Sequence, residues 1–498
     1  MAAPGAGPRV NGSRRVAALG PVLVMTTMVT SIISSLGAPL IPTIAKDFHD
    51  SLSTAQWSLT VALVSGAISA PVMGRLGDGP RRRSTMIGGL AIVAAGGVVA
   101  AQAKGIDVLV VGRALQGVGL GLVPLAMATA RELMPAHRVS PMIGLLSVSA
   151  AAGVGAGYPI SGLIAEGLGL SGAYWFGTIV AAAALVCVVI VVPSSSGGHL
   201  ARLDVIGAGL LTVTLVAVLV AVAQGSIWGW GSFKVLGLLV AGLVFLIFWT
   251  WQQLHAREPL INLRLLHHPA VLAGDACALV LGVAMYMVLS AGTEFVQLPR
   301  SNGFGFSAPV VVAGLILIPM SALMLLGSWL LPFLDRLVGI RSLLTAGCLV
   351  VAAGSGYFAL YHGALWESFV MMGILGIGLG TTFAAIPGLI VRSVPHSETG
   401  SAMGFYQVVR FVGFSLGSAL TSSILASHIS TSTNQPALEG YTTVFWLAGA
   451  ICVVAALVAY ILSARGERVP PDQRLSNQEV RLSEETDGDD LIVGGEHI

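Results

Sequence analysis

Charged residues are scarce in this chain. Lys, Arg, Asp and Glu make up 10% of its 498 residues, whereas hydrophobic residues make up 55%, and an ordinary soluble domain is about 25% charged. A helix needs about 20 mostly apolar residues to cross a bilayer, and the chain contains many such runs. The composition therefore predicts an all-α polytopic membrane protein. The net charge of +2 gives no indication of nucleic-acid binding.

Cysteine is rare as well. The four cysteines lie singly in apolar runs, without a CxxC spacing or a histidine partner, so we interpret them as packing residues and expect neither a metal site nor a cofactor. The sequence contains no HExxH and no GKS/T phosphate-binding loop. Gly153, Gly155 and Gly157 imitate a dinucleotide-binding loop, but no strand pattern precedes them. We therefore do not expect an enzyme, or ATP as the direct energy source.

Apolar runs between short polar segments predict fourteen transmembrane helices. They lie near residues 17–42, 54–74, 84–102, 107–130, 141–164, 172–193, 204–224, 234–252, 270–297, 308–331, 342–361, 366–390, 401–425 and 441–463. The connections are short, so no soluble domain is expected between helices. Residues 1–16 form a segment before the first helix, and the acidic residues 464–498 predict a disordered tail.

Positive charge is distributed unevenly between the predicted loops. With the N-terminus in the cytoplasm, 19 of the 25 Lys and Arg residues fall on the cytoplasmic side. The positive-inside rule favours this orientation. Because the helix number is even, both termini are then cytoplasmic, and we expect a multi-pass protein of the cell membrane.

An internal repeat divides the chain. The most extensive match pairs Pro135, Gly144, Gly153 and Gly157 with Pro395, Gly404, Gly413 and Gly417, and further matches pair Gly117, Gly119 and Gly121 with Gly376, Gly378 and Gly380, and Asp78 with Asp335. Repeats at one spacing indicate duplicated units. They predict six helices in residues 17–193, two linker helices in 204–252 and six helices in 270–463.

Several motifs in order resemble those of the major facilitator superfamily. The loop Gly74–Arg83 resembles its motif between helices 2 and 3. The helix 4 motif is matched by Arg113, Gln116, Gly117 and Gly119, and the helix 5 antiporter motif by Gly153, Gly157, Pro159 and Gly162. The stretches Asp204–Trp230 and Arg257–Leu263 are similar to the fourteen-helix drug:proton antiporters.

This resemblance implies a proton-coupled antiporter that exports amphipathic small molecules or drugs by alternating access. Its partners would be a small-molecule substrate, protons and the lipid bilayer, and we expect a monomer. An exporter dedicated to an endogenous metabolite, such as an antibiotic, siderophore or lipid-like compound, is the alternative. A nontransporting membrane receptor or scaffold is a more distant one.

A cytoplasmic gate is expected at the loop between helices 2 and 3. Its acid would cap a helix of the other half, and its arginines would pair with acids across the interface. Because the repeat gives this loop a counterpart, the gate is assigned to both copies: Asp78, Arg75 and Arg82, with Asp335 and Arg336.

Proton coupling is expected at an acid within a helix. The family's first helix usually carries an aspartate nine residues before a proline, but alignment on Pro42 places Ile33 there. We therefore assign coupling first to Glu294, expected either to face an interior cavity or to be an interfacial acid at the outer end of its helix. Asp275 is the second candidate. Arg113 is expected either to take part in proton transfer or to be held structurally by carbonyl groups and Gln116.

A substrate cavity is expected where polar and aromatic residues lie within helices. Arg410 and Gln407 on helix 13 are candidates to bind an anionic substrate or to brace the opposite half. Aromatic rings tolerate varied amphipathic ligands, although aromatic residues also mark the membrane interfaces. The cavity is assigned to Arg410, Gln407, Gln116, Tyr158, Tyr286 and Tyr406.

Overall fold

The structure, a computed structural model, describes residues 12–36, 40–50, 52–77, 81–193, 203–395, 398–430 and 435–465. Its helices are α1 (Gly12–Ser35), α2 (Ile41–Asp47), α3 (Leu52–Gly77), α4 (Arg82–Ala101), α5 (Ile106–Gly117), α6 (Leu122–Leu133), α7 (Ala136–Val191), α8 (Val205–Trp228), α9 (Phe233–His255), α10 (Pro269–Gln297), α11 (Val310–Leu315), α12 (Leu317–Leu360), α13 (Leu365–Arg392), α14 (Thr399–Ser427) and α15 (Leu438–Arg465). Short 3₁₀ turns cover Val118–Gly121, Leu263–His267 and Arg300–Asn302. The all-helical prediction is confirmed.

Twelve helical stretches in the described part of the chain are long and apolar enough to cross a membrane. Two of them, His137–Val191 with 55 residues and Val311–Leu360 with 50, are much longer than the roughly 20 residues that a bilayer requires. Each contains one glycine outside helical geometry, Gly169 at φ 70° and Gly339 at φ 79°. Both glycines lie at predicted helix boundaries. The count of fourteen nevertheless stays a prediction.

The outer surface is apolar and the interior contains polar side chains. Exposed hydrophobic residues are frequent on α9, where Phe233 is 94% exposed. Conversely, Arg113, Gln116, Gln407 and Arg410 are buried. This reversal of the soluble pattern is expected where lipid covers the outside, because polar groups within a bilayer need partners inside the protein.

The helices pack as two groups with a pair between them. Helices α1 and α3–α7 form the first half and α10–α15 the second, while α8 packs along α9 and also contacts α3 and α14. Cross-half packing runs mainly between α3 and α14 and between α7 and α11–α13. The linker pair therefore lies against the junction of the halves.

Asp204 joins the two linker helices at one end. Its carboxylate accepts hydrogen bonds from the backbone of Gly207 at 2.8 Å, which caps α8, and from the side chains of Gln252 and Gln253 at 3.0 and 2.8 Å. Gln253 in turn accepts from the backbone N–H of Ile261 at 3.0 Å. These bonds fix the start of α8 to the end of α9 and to the segment that leads into α10.

Two repeat-related glycines make equivalent close helix contacts. A Cβ added at Gly153 of α7 would lie 2.7 Å from the carbonyl oxygen of Met28 in α1, and one at Gly413 of α14 would lie 2.5 Å from that of Leu279 in α10. Side chains do not fit at such distances, so glycine is required for these backbones to approach. The internal repeat therefore coincides with equivalent packing in both halves.

The other residues of the helix 5 motif pack in two directions. Gly157 faces α1, like Gly153, whereas Pro159 faces the second half, where a Cβ at Gly314 would lie 3.0 Å from its backbone nitrogen. A Cβ at Gly162 would reach Val311 of α11 at 3.7 Å. The motif thus connects packing within one half to packing between the halves.

Candidate functional site

Arg410 of α14 lies inside a cluster of aromatic rings. Its guanidinium carbon is 5.4 Å from the ring centroid of Phe383, 5.5 Å from that of Tyr406 and 5.7 Å from that of Phe414. The residue is only 3% exposed, and its Nε and Nη1 have no hydrogen-bond partner among the described residues. The guanidinium group is thus stabilised by cation–π attraction to these three rings.

Gln407 lies one turn before Arg410 on the same helix. It is fully buried, and neither its amide nitrogen nor its amide oxygen has a hydrogen-bond partner among the described residues. The adjacent Tyr406 is bonded to Ser147 of α7, with 3.2 Å between the hydroxyl oxygens. We call Arg410, Gln407, Tyr406, Phe383 and Phe414 the Arg410 cluster. It contains three of the predicted cavity residues and touches the first half through Ser147.

Two tyrosines, one from each half, lie beside this cluster. Tyr286 of α10 stacks on Phe414 with a centroid distance of 5.6 Å, and Tyr158 belongs to α7. These two tyrosines line an enclosed cavity of about 30 Å³ together with Phe411 and Phe414. The space holds about one water molecule, so the centre between the halves is almost closed.

The linker helix α8 lines a second small cavity beside the first. Leu219 and Ala223 of α8 face Leu63 of α3 and Phe414 of α14 around about 80 Å³. Both cavities share Tyr286 and Phe414 in their walls. The linker pair therefore contributes side chains next to the centre, which the sequence repeat alone did not predict.

Arg113 of α5 is held by backbone carbonyl groups. Its Nη1 donates to the carbonyl of Ile33 at 2.8 Å, its Nη2 to that of Ser34 at 2.6 Å and its Nε to that of Ser58 at 3.3 Å. Its Nη1 also donates to Gln116 Oε1 at 2.8 Å. The structure thus agrees with the structural interpretation of Arg113. It also corrects the assignment of Gln116 to the substrate cavity. The Gln116 side-chain oxygen accepts a hydrogen bond from Arg113, and Gln116 is not among the residues that line the two small central cavities.

The two candidate acids of α10 lie in different environments. Asp275 is buried, and its Oδ1 has no hydrogen-bond partner among the described residues. Glu294 is exposed, and its carboxylate accepts a hydrogen bond from the buried Tyr441 hydroxyl at 2.9 Å. Glu294 lies in the last turn of α10, which agrees with the interfacial alternative and not with an interior cavity. Nineteen residues of helix place the two acids about 28 Å apart.

Ion pairing joins the halves at the end of α3. Arg75 lies 3.6 Å from Glu398, which immediately precedes α14. Burial raises the pKa of Glu398, and the charge of Arg75 lowers it to a smaller extent. Asp78 lies outside the described residues. Arg82 pairs with Glu132 of α6 at 3.0 Å, a contact within the first half.

Two repeat-related arginines add hydrogen bonds at the same end. Arg131 of α6 donates to the carbonyls of Val394 at 2.9 Å and Pro395 at 3.3 Å and to the Thr399 hydroxyl. Arg392 of α13 donates to the hydroxyl of Ser140 in α7 at 3.2 Å. Arg131 and Arg392, like Ser140 and Thr399, are separated by nearly the spacing of the sequence repeat. These reciprocal contacts close one end of the junction.

Asp335 and Arg336 lie at this end as well. Asp335 is 3.8 Å from Arg392, and both residues line an open cavity of about 410 Å³ with His137 and Ser140. Arg336 is exposed. The sequence analysis did not identify Arg131, because the positive-inside rule alone explains an arginine at a cytoplasmic helix end. The sequence repeat could have indicated its role, since it relates Arg131 to Arg392.

Comparisons with known proteins agree with this architecture. A family model described as the Major Facilitator Superfamily matches residues 23–418. The tetracenomycin C resistance and export protein of Streptomyces glaucescens is 28% identical over 411 residues, which cover 81% of this chain and 74% of that protein. The multidrug resistance protein Stp of Mycobacterium tuberculosis (strain ATCC 25618 / H37Rv) is 25% identical over 402 residues, 80% of this chain and 74% of Stp.

A solved structure is similar in fold. The proton:xylose symporter XylE has a TM-score of 0.61 and 16% identity, with coverage of 90% of this chain and 95% of that one. At this identity the similarity concerns the arrangement of helices only.

Proposed function

Because this chain belongs to the Major Facilitator Superfamily and is a membrane transporter, we propose that it exports amphipathic small molecules in exchange for protons. The halves 17–193 and 270–463 would rock about the Arg410 cluster, so that the cluster opens to one side of the membrane at a time. We propose the same orientation as above, with both termini and the Arg75 end in the cytoplasm, and a monomer as the working unit.

The observation that carries this proposal is the nearly closed centre between the halves. Tyr406 and Ser147 make a single hydroxyl contact across the junction, and a neutral hydrogen bond contributes only about 1 kcal/mol net. A contact of this strength can break and reform in each transport cycle. A substrate entering between the halves would meet aromatic rings and buried polar groups, which suit an amphipathic molecule.

Export is the direction that the relatives support. The tetracenomycin C protein and Stp are described as a resistance and export protein and as a multidrug resistance protein. The first of these also favours the second candidate function, an exporter dedicated to one endogenous metabolite such as an antibiotic. A broad panel of solutes distinguishes the two, since a dedicated exporter moves one chemical family and a drug exporter moves several.

Proton coupling would use the acids of α10. We propose Asp275 as the proton-carrying group, because a buried carboxyl without a partner can exchange a proton without breaking another contact. Glu294, at the other end of the same helix, would deliver protons from outside. Each proton that moves inward through 100 mV releases about 2.3 kcal/mol, which is enough to drive useful accumulation.

A flux assay in proteoliposomes tests this function. The purified protein is reconstituted, and a pH gradient is imposed that drives protons towards the side corresponding to the cytoplasm. The transmembrane movement of a panel of dyes, drugs and aromatic metabolites is then followed. We expect gradient-dependent movement of at least one amphipathic solute and its collapse when a protonophore is added. Flux that is unaffected by the protonophore would exclude proton coupling, and the absence of any flux would exclude export of these solutes.

A further inference from the structure

We infer that Arg410 and Gln407 form a binding subsite for the anionic group of an aromatic substrate, a carboxylate or an ionised phenol on a planar ring system. This inference rests on the proposed export function, because it names the class of molecule that the central site accepts. It is carried by buried polar atoms without partners, together with the rings that surround them.

The comparison with Arg113 shows what Arg410 lacks. Both arginines lie inside transmembrane helices, but Arg113 donates to three backbone carbonyls and to Gln116. The buried Nε and Nη1 of Arg410 have no acceptor among the described residues. A buried charge without a counter-charge is unfavourable, so a protein retains one where a ligand supplies the missing anion.

The chemistry of the cluster selects an oxygen anion. A guanidinium group presents planar N–H donors that match the two oxygens of a carboxylate. Gln407 adds an amide whose nitrogen and oxygen are both unpaired, so it can donate to the same anion or accept from a neighbouring hydroxyl. A cationic substrate group would be repelled at this position, because the site already contains one uncompensated positive charge.

The rings define the rest of the substrate. Phe383, Tyr406 and Phe414 surround the guanidinium, and planar ligands stack favourably on such rings. Phe414 also lines both small cavities. Rotation of this one side chain would therefore connect Arg410 to the space between the halves. An aromatic acid could then stack where Phe414 now lies and place its anion on Arg410.

The test compares two ligands that differ only in charge. Binding of 9-anthracenecarboxylate and of 9-anthracenemethanol is measured by fluorescence on the full-length protein in lipid nanodiscs, without any gradient. We expect the carboxylate to bind the wild type at least about tenfold more tightly than the alcohol. Arg410→Gln should remove this preference by weakening the carboxylate alone, and Arg410→Lys should retain part of it, because lysine keeps the charge but loses the planar fork.

Each outcome decides the matter. Equal binding of both ligands by the wild type overturns the inference, as does an Arg410→Gln protein that keeps the preference. If Arg410→Gln does not yield a monodisperse protein, Gln407→Leu replaces it, with an expected loss of about threefold for the carboxylate only. Because binding needs no proton gradient, the two proposals can fail separately. If the wild type prefers the carboxylate but shows no gradient-driven flux, the subsite is supported and the proposed antiport is contradicted.

Discussion

The guanidinium of Arg113 donates to the carbonyl of Ile33, with 2.8 Å between Nη1 and the oxygen. Helix α1 ends at Ser35, and the last carbonyls of a helix have no partner within it. Arg113 donates to those of Ile33 and Ser34 and anchors α1 to α5, and the Ile33 carbonyl also accepts a longer hydrogen bond from the backbone of Leu36 at 3.4 Å. Ile33, at the position where the family resemblance led us to expect an aspartate, thus contributes a backbone oxygen to Arg113.

Replacement of Arg113 by glutamine should therefore destabilise the protein. The shorter side chain cannot reach both carbonyls, and hydrogen bonds to a charged group contribute about 1.5–3 kcal/mol each, so we expect the free energy of unfolding to fall by about 3 kcal/mol. Denaturant titration in mixed micelles measures this quantity. The matched control is Arg138→Gln, an exposed residue of α7, for which a change below about 0.5 kcal/mol is expected.

The Arg113 result has a clear contrary outcome. If Arg113→Gln has the stability of the wild type but abolishes gradient-driven flux, the residue serves proton transfer and not the end of α1. The carbonyl contacts would then be incidental to its role.

Acidification should favour closure of the Arg75 end. Burial raises the pKa of Glu398 more than Arg75 lowers it, so the closed arrangement binds a proton more tightly than an open, solvated one. By linkage, closure is stabilised below the ordinary pKa of a glutamate and loses this stabilisation as the pH rises through the raised pKa of Glu398. The ion pair with Arg75 offsets only part of the cost of burying the carboxylate.

Spin labels can report this closure. Labels at Arg138 and Leu337, exposed residues next to those that line the open cavity at this end, are introduced after the four native cysteines are replaced. The short-distance population should grow as the pH falls in the wild type, and Glu398→Gln should keep it high at every pH. The control Glu132→Gln removes an exposed acid that pairs within one half. A wild-type distribution that does not respond to pH contradicts the prediction.

Sequence patterns anticipated the features that depend on local periodicity. Apolar runs predicted the helices, and the sequence repeat paired Gly153 with Gly413, which make equivalent close helix contacts. The contact between Arg410 and Tyr406 follows from their spacing, since residues four apart share a helix face. Which carbonyls lie near a given side chain depends on how helices end and pack. For that reason the sequence could not decide between the two roles of Arg113, or between an interior and an interfacial position for Glu294.

Removal of Arg131 should open the gate more than removal of Arg392. Arg131 satisfies two carbonyls after the end of α13, whereas Arg392 is exposed and makes one hydroxyl contact at 3.2 Å and one ion pair at 3.8 Å. Exposed ion pairs contribute about 0–1 kcal/mol. With the same spin labels, Arg131→Ala should reduce the short-distance population clearly and Arg392→Ala slightly. Equal effects of the two variants would show that the repeat-related contacts have equal weight.

The two acids of α10 should separate into a carrier and a delivering group. Asp275→Asn replaces a buried carboxyl, whose Oδ1 has no partner among the described residues, by an amide that cannot carry a proton. We therefore expect gradient-driven accumulation to disappear while downhill exchange continues. Glu294→Gln can still accept the hydrogen bond from Tyr441 through its amide oxygen, so accumulation should fall only several-fold. Glu439→Gln, an exposed acid in the first turn of α15, is the control and should match the wild type. Full accumulation by Asp275→Asn, with its loss in Glu294→Gln, would reverse the assignment and make Glu294 the carrier.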